Sequence, residues 1–182
     1  AYLRPVPASR PVLQTIERPV VKAVLYTLQD EVDALYLVSN DQIFTQAAVP
    51  NSEIKSWGFA LSRCDFSALE AQEQVEQLII IDRAAKMRVI YKALNTVLPG
   101  VPLDMSPSLR PDYNQLVIRP QGVNKGSGLR NLAKTLGIST TATIAFGDWL
   151  NDLPLFRTAG LAIAPANAVP EVKAQACIVS SL

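Results

Sequence analysis

The sequence predicts an α/β protein in which a small α+β region is followed by half of a doubly wound parallel sheet. Between about residues 10 and 120, amphipathic helices alternate with paired strand-like runs, which is typical of a sheet layered with helices. After residue 120 a β-α-β-α-β rhythm with short connections favours parallel strands. Because three strands are few for a parallel sheet covered on both faces, we expect half of such a domain. The predicted boundaries are a lead-in segment at 1–9, an α+β domain at 10–119 and the parallel part at 120–182.

In the α+β region, prolines and apolar spacing predict the elements in turn. Pro5, Pro7 and Pro11 favour an extended start, and Pro19 suits the first turn of a helix. Apolar residues then recur at helical spacing, at positions 20, 21, 24, 25 and 28. The next predicted elements are strands at 34–39 and 42–46 around the turn Asn40-Asp41, a helix at 67–76, a strand at 77–81, a helix at 84–98 that stops at Pro99-Gly100, and strands at 101–105 and 113–119.

In the parallel part, a glycine and two short apolar runs set the rhythm. A helix at 125–136 should end at Gly137, because glycine readily adopts the left-handed conformation found after a helix C-terminus. The remaining predicted elements are a strand at 142–146, a helix at 149–158, a strand at 161–164, a helix at 168–176 and a strand at 177–179.

The composition argues against several classes of protein. Seventeen basic and 16 acidic residues leave a net charge of +1, which gives no basis for binding nucleic acid or an anionic membrane. The absence of histidine removes histidine metal sites and histidine-activated nucleophiles. Cys64 and Cys177 stand in unrelated contexts, and we expect both to be free thiols in a reducing compartment. No apolar run approaches the ~20 residues needed to cross a bilayer, and no signal-peptide pattern opens the sequence, so we expect a cytoplasmic protein.

The most informative motif is Gly147-Asp148-Trp149-Leu150-Asn151-Asp152, directly after the apolar run at 143–146. A strand that ends in a Gly-Asp turn places Asp148 at the carboxyl edge of a sheet, where open α/β folds bind ligands. Two carboxylates and an amide in one turn suit Mg²⁺, which takes one or two carboxylates together with substrate phosphate. Asp148 is therefore the predicted Mg²⁺ ligand. The alternative is that it only caps the helix predicted from Trp149.

A second motif, Asn124-Lys125-Gly126-Ser127-Gly128, opens the first helix of the parallel part. Helix N-termini favour phosphate through unpaired N–H donors and the macrodipole, the glycines should leave the backbone open to an anion, and Lys125 adds a full positive charge. An ordinary helix capped by Asn124 is the alternative. With the Gly-Asp motif two dozen residues later, a shared site is favoured. Asp152 would fix the Lys125 ammonium, and Asn151 has amide donors that suit a phosphate oxygen.

These motifs, taken in order, resemble the Cof-type phosphatases of the haloacid dehalogenase-like superfamily. The matching segments, all between Leu116 and Ser180, are Val123–Gly126 with Gly128-Leu129, Ile144–Asp148, Asn151-Asp152, Ala159–Leu161, Ala166–Ala168 and Glu171–Lys173. Residues 10–115 resemble that family's inserted type-two cap more loosely. The resemblance implies an α/β core with a cap domain, Mg²⁺ as cofactor, and hydrolysis of small phosphorylated metabolites, with sugar phosphates as the favoured class.

The resemblance also implies roles for individual residues. Lys125 would neutralise the phosphate, Asp148 would bind Mg²⁺ and Asn151 would contact the phosphate. Asp152 would support Lys125, and Asn167 would belong to a loop near the site. In this family an aspartate attacks the phosphorus, and a second aspartate two residues later serves as acid and base. These roles agree with the chemistry of phosphoryl transfer, which needs an in-line nucleophile and cations that offset charge on the equatorial oxygens.

The nucleophile is missing from this sequence, since no Asp-x-Asp pair occurs among its 182 residues. The apolar run Leu78–Ile81 ends in Asp82 but lacks the second aspartate, so we interpret Asp82 as a helix N-cap. Because the sequence also begins with Ala1 rather than Met, we expect a fragment that is inactive without an N-terminal core segment. The alternatives are a non-catalytic phosphate- and cation-binding module and a phosphomutase relative.

Substrate choice and motion are the least determined properties. Residues Asp112–Asn114 are polar and either face a substrate cleft or form an exposed turn, and we favour the turn. Proline and glycine content predicts hinges at 8–18 and 119–123, about which a cap would close over the core to exclude water.

Overall fold

The computed structural model describes residues 14–28, 31–39, 42–46, 60–72 and 74–181. They form two compact units, one within residues 14–121 and the other from Gly122 to residue 181. Both units mix helices and strands, and the second has a parallel sheet, which confirms the predicted fold class. In these ranges we find no helix with the length and apolar character required to span a membrane. Cys64 and Cys177 are both free, as predicted.

In the residues that the structure describes, the first unit is a six-stranded sheet with three helices. Its strands follow the order β3-β2-β1-β4-β6-β5, and neighbouring strands are antiparallel except for the parallel pair β2–β3. The strands are β1 Ala34–Ser39, β2 Gln42–Thr45, β3 Ala60–Arg63, β4 Gln77–Arg83, β5 Leu103–Pro107 and β6 Tyr113–Ile118. The helices are α1 Arg18–Leu28, α2 Phe66–Glu70 and α3 Ala84–Val97.

The core of the first unit lies on both faces of the central strands. Val24 of α1 and Leu94 of α3 belong to the same buried cluster as Leu37 of β1. The alternate residues Tyr36 and Ile79 belong to a second buried cluster. Since successive strand residues point to opposite faces, burial of both faces accounts for the continuous apolar runs of β1 and β4. Each fully buried aliphatic side chain of this kind contributes roughly 1.5–3 kcal/mol.

The segment between β3 and β4 differs from its prediction. The helix predicted at 67–76 ends at Glu70. By Val75 the chain already makes strand-like bonds, because its carbonyl accepts the Ile16 N–H at 2.6 Å and the next residue donates its N–H to Val38 at 2.8 Å. Strand β3 is not predicted by the sequence, since its four residues show no clear alternation and form only by pairing with β2. The predicted turn Asn40-Asp41 lies outside the described residues.

Asp82 does not cap a helix, so that interpretation is wrong. The residue at the N-cap of α3 is Arg83, and no side chain caps this helix. The buried Asp82 carboxylate instead accepts the Arg83 N–H at 2.6 Å and the Asp33 N–H at 3.2 Å, and it pairs with Lys86 at 3.5 Å. Asp82 thus ties the end of β4 to the start of β1.

The polar segment before β6 agrees in part with the predicted turn. Asp112 is exposed and adopts a left-handed φ of 63°, which aspartate tolerates better than most residues. Tyr113 is buried and begins β6 together with Asn114, so these two residues belong to the sheet rather than to the turn.

The second unit contains the predicted parallel β-α-β-α-β arrangement, with strand order β7-β8-β9. Its core is small and consists mainly of alanines, with Phe156 and Val172 as the larger members. On the other face of the sheet, Ile144 and Phe146 are exposed. The elements are α4 Lys125–Leu136, a 3-10 turn Thr140–Ala142, β7 Ile144–Phe146, a 3-10 turn Leu150–Asp152, α5 Leu153–Phe156, β8 Leu161–Ala164, α6 Pro170–Gln175 and β9 Ile178–Val179.

Helix boundaries in this unit follow local sequence signals at α4 but not at α5. α4 has the predicted bounds, and Gly137 adopts φ 67° where the helix ends. The helix predicted at 149–158 is a 3-10 turn followed by only four α-helical residues. Pro154 lies in the first turn of α5, where its missing N–H is harmless, and it would break a helix begun earlier.

Candidate functional site

The site begins at the N-terminus of α4, where a reciprocal cap fixes Lys125. The Asn124 side chain accepts the Ser127 N–H at 3.0 Å, and the Ser127 hydroxyl accepts the Asn124 N–H at 2.9 Å. This capping box uses two N–H groups that a helix start otherwise leaves unpaired. Lys125 is therefore the first residue of a helix whose beginning is well determined.

Gly126 has a packing role that the sequence did not predict. It is buried, and a Cβ there would overlap the Pro154 carbonyl and lie 2.8 Å from the Thr158 hydroxyl. The glycine thus allows α4 to approach α5 closely, while the openness of its backbone to an anion stays a prediction. This approach brings the start of α4 next to the Gly-Asp loop.

The loop after β7 presents Asp148 and is held by Asp152. One oxygen of the Asp152 carboxylate, Oδ2, accepts the N–H groups of Asp148 at 3.0 Å and Trp149 at 3.2 Å. A Cβ on Gly147 would lie 2.7 Å from the Asp152 carboxyl carbon, so this position needs glycine. The Asp148 carbonyl accepts the Val169 N–H at 3.0 Å, and its side chain is exposed. Asp148 is the N-cap residue of neither the 3-10 turn Leu150–Asp152 nor α5, so the alternative role, in which it only caps the helix predicted from Trp149, is wrong.

The other oxygen of Asp152 binds the Lys125 ammonium in an ion pair. Asp152 is only 3% exposed, whereas the Lys125 side chain is 49% exposed. Lys125 Nζ also lies 3.5 Å from Asn151 Oδ1. Because a buried carboxylate requires compensating partners, the two N–H groups and the ammonium together account for its burial.

The structure therefore brings four of the five predicted site residues into one corner. Lys125, Asn151 and Asp152 are in direct contact, and Asp148 joins them through its backbone N–H. Asn167 is exposed, two residues before the N–H that binds the Asp148 carbonyl, so its loop is attached to the same corner. The role of Asp152 in anchoring the loop was not predicted from the sequence. Its spacing of four residues from Asp148 was the available signal.

The donor set determines which metal this corner suits. Asp148 offers one exposed carboxylate, while both oxygens of Asp152 are engaged. In the described part of the chain, no group of three or more histidine, cysteine or acidic side chains could hold a metal. A single carboxylate fits Mg²⁺, which keeps several waters and shares its ligands with phosphate, and does not fit an all-protein cage. A cleft of about 420 Å³ opens beside it, lined by Phe146, Gly147, Asp148, Ile163, Pro165 and Ser180.

Comparison with known proteins identifies the family. The model of the haloacid dehalogenase-like hydrolases matches residues 10–181 of this sequence. The chain belongs to the haloacid dehalogenase-like hydrolase family. This confirms the resemblance found from the motifs, and relatives named HMP-PP phosphatase support its Cof-type character.

Individual relatives cover different parts of this family member. It is 43% identical over 68 residues to the stress response protein YhaX of Bacillus subtilis, which is 37% of this chain and 24% of that protein. It is 27% identical over 158 residues to the HMP-PP phosphatase of Cronobacter sakazakii, 86% of this chain and 56% of that protein. In fold it is similar to a haloacid dehalogenase-like hydrolase from Bacteroides thetaiotaomicron, with a TM-score of 0.71 and 23% identity. That match covers 91% of this chain and 62% of the other. The chain thus spans only part of the length of these relatives.

Proposed function

We propose that this corner binds phosphate and Mg²⁺ and belongs to a Mg²⁺-dependent phosphomonoester hydrolase of small phosphorylated metabolites. The observation that carries the proposal is the buried Asp152 carboxylate, which joins Lys125 at a helix tip to the loop that presents Asp148 at a strand tip. Phosphoryl transfer depends on positioned positive charge, and a helix N-terminus with a lysine supplies it.

Lys125 and Asn151 are the proposed phosphate contacts. Lys125 is about half exposed, so its ammonium can reach an arriving anion while it remains paired with Asp152. The Asn151 carbonyl oxygen faces Lys125, which leaves the amide N–H donors of this side chain for a phosphate oxygen. We propose the same region for Asn167, whose loop is attached to Asp148.

Asp148 is the proposed Mg²⁺ ligand, since it is the exposed carboxylate of the corner. Bound Mg²⁺ supplies charge stabilisation at the phosphoryl oxygens. Asp152 keeps the Asp148 loop in place and holds Lys125, and it is a positioning residue in both respects. The relative named HMP-PP phosphatase supports a small phosphorylated substrate, and sugar phosphates remain the class that we favour from the sequence.

Hydrolysis in this scheme needs an aspartate that attacks the phosphorus and forms an aspartyl-phosphate. The 182 residues contain no Asp-x-Asp pair, so we expect this chain alone to bind phosphate without turning over a substrate. The same absence favours a second candidate, a phosphate- and cation-binding module without catalysis.

The upstream reading frame distinguishes the candidates. An Asp-x-Asp-Gly-Thr segment there, after an apolar strand, would favour the enzyme. A phosphomutase would use the same corner and would differ in passing the phosphoryl group to a second hydroxyl.

Calorimetric titration with inorganic phosphate, with and without Mg²⁺, tests the site. We expect Mg²⁺ to strengthen phosphate binding, Asp148→Asn to remove that dependence, and Lys125→Met to weaken phosphate binding under both conditions. Matched controls are Lys134→Met at the other end of α4 and Glu171→Gln in α6, which should bind as the unaltered chain does. A phosphate affinity that is unchanged in both Asp148→Asn and Lys125→Met would contradict the proposal. Turnover of p-nitrophenyl phosphate that is lost in Asp148→Asn would contradict the expected inactivity.

A further inference from the structure

The first unit contains a cavity of its own, which the proposed function does not use. Its volume is about 430 Å³, within the range of ~300–1,000 Å³ that is typical of small-molecule sites. Three segments form its walls, namely the approach to α1 at 14–17, the turn after α3 at 99–102 and the chain after β6 at 119–121. Val20 of α1 completes the lining.

The walls of this cavity are fixed by the backbone. The Ile16 N–H binds the Val75 carbonyl at 2.6 Å, which ties the approach to α1 to the chain just before β4. The Val101 N–H binds the Leu98 carbonyl at 3.2 Å across the turn after α3. Three of the lining residues are prolines, whose rings fix φ. Because none of these constraints depends on a ligand, the cavity is preformed, as ligand sites usually are.

The lining combines apolar surface with one unpaired negative charge. Val20 and Val101 supply apolar surface and pack against the core of the unit. Of the two charged residues in the lining, Arg119 is already in an ion pair with Asp104. The carboxylate of the other, Glu17, has no ion pair or hydrogen bond among the residues that the structure describes. The charge that remains for a ligand is therefore negative.

We propose that this cavity binds a small organic ammonium ion, a molecule with an apolar body and one positively charged amine. The body lies against the apolar walls, and the ammonium pairs with Glu17. Since Glu17 is exposed, the ion pair adds little affinity and mainly selects the sign of the ligand's charge. The apolar walls supply most of the binding.

The place of the cavity in the chain makes it a regulatory site. Residues 14–17 fall within the predicted hinge at 8–18, and residues 119–121 fall within the predicted hinge at 119–123. A ligand in the cavity contacts both segments at once. Because a ligand shifts a conformational equilibrium when it binds one state more tightly than the other, this ligand would bias any motion that the two hinges allow. Binding itself does not depend on the hinge prediction.

Titration with benzylamine, whose amine is protonated at neutral pH, tests the site through amide chemical shifts in nuclear magnetic resonance. We expect shifts at the amides of Thr15, Val101 and Gln121, which lie on the three wall segments. Benzyl alcohol keeps the ring without the charge and should bind more weakly, and benzoate should leave these amides unchanged. If benzylamine did not shift these amides, or if the three compounds bound equally, the inference would be overturned.

Glu17→Gln removes the charge and keeps the size of the side chain. We expect the affinity for benzylamine to fall about threefold, in keeping with an exposed ion pair, and the affinity for benzyl alcohol to stay the same. Glu31→Gln is the matched control, because Glu31 is an exposed residue beyond the other end of α1. A loss of benzylamine affinity in both variants, or in neither, would contradict the role of Glu17.

Thr15→Trp tests the location of the site independently of charge, because it adds a large side chain to an exposed residue of the lining. We expect this variant to lose benzylamine binding, and its amide spectrum checks that the fold is retained. An unchanged affinity for benzylamine in a folded variant would place the ligand elsewhere and overturn the inference. Phosphate binding at the Lys125–Asp148 corner is measured separately, so the proposed function does not depend on either result.

Discussion

At the scale of single residues, Asp152 determines the geometry of the candidate site. Its two carboxylate oxygens serve different partners, since one binds the Lys125 ammonium and the other accepts two loop N–H groups. Lys125 comes from a helix that begins 27 residues earlier in the chain. A single buried side chain therefore links two segments that are distant in sequence, and its loss should affect both.

Asp152→Asn tests this link, because asparagine can keep an oxygen acceptor for the loop while it loses the charge that pairs with Lys125. We expect the free energy of unfolding to fall by about 1–3 kcal/mol, less than for a fully buried pair because the lysine is half exposed. Urea denaturation measures the change. The double variant with Lys125→Met should be less destabilised than the sum of the two single variants. Strict additivity would show that the ion pair does not couple these residues.

At the scale of elements, the contact between α4 and α5 depends on one glycine. Gly126 faces the Pro154 carbonyl with no room for a Cβ, whereas Gly128, one half-turn later in α4, has open space around it. Position 126 therefore has no room for a side chain and position 128 does, although the two glycines lie in the same helix two residues apart.

Gly126→Ala should force α4 away from α5 and lower the free energy of unfolding by about 1–3 kcal/mol. Gly128→Ala is the matched control, and it should stabilise the chain by up to about 1 kcal/mol because alanine is the better helix former. Thermal and urea unfolding of both variants give the comparison. Equal effects of the two substitutions would show that the close helix contact does not exist in solution.

The short helix α2 illustrates a cap whose strength depends on pH. The Asp65 carboxylate accepts the Ala68 N–H at 2.9 Å and the Ser67 hydroxyl at 2.7 Å. These bonds, the Ala68 N–H first, lower the pKa of Asp65 below its usual value of about 4. Between the two pKa values the unfolded chain binds more protons than the folded chain. The contribution of this cap is therefore complete above about pH 4 and is lost as the pH falls through the lowered pKa.

Asp65→Ser checks that assignment, since serine caps a helix without titrating. Urea unfolding of both chains at a series of pH values below about 5 should show a smaller loss of stability on acidification in the serine variant. If the stability of the two chains changed identically with pH, titration of Asp65 would not contribute to the acid sensitivity.

At the scale of the whole molecule, the two units have cores of different kinds. The first unit buries leucine, isoleucine and valine side chains on two faces of its sheet, whereas the core of the second consists mainly of alanines. Because stabilisation grows with the apolar area that is buried, we expect the second unit, with its smaller side chains, to be the less stable one. The proposed ligand site lies entirely within this second unit.

Phosphate with Mg²⁺ should therefore protect the second unit selectively. At a ligand concentration 100 times the Kd, binding to the folded form adds about 2.7 kcal/mol to its stability. Hydrogen exchange should slow at β7 and β8 and stay unchanged at β4 and β6 of the first unit. If hydrogen exchange slowed equally in both units, ligand binding would not be confined to the second unit, and the expectation would be wrong. The hinges proposed at 8–18 and 119–123 stay a prediction, for which Pro120→Gly in an active form of the protein is the test.

Local sequence was sufficient to predict the fold class, the approximate bounds of most elements and four residues that meet at the corner. These properties depend on local signals, namely the cap at Asn124, the left-handed Gly137 and the apolar run before Gly147. Such signals act over a few residues and can be read from neighbours along the chain.

The assembly of the corner could not be predicted from the sequence, because it depends on tertiary contacts. The packing role of Gly126 and the anchoring of the Asp148 loop by Asp152 depend on contacts across the fold. So does the burial of the Trp149 indole nitrogen, which has no hydrogen-bond acceptor among the described residues. The same holds for β3, which has no strand pattern of its own and forms against β2. Hydrogen bonds and steric exclusion act over a few ångströms of space, and the residues that they bring together here are up to 32 positions apart in the chain.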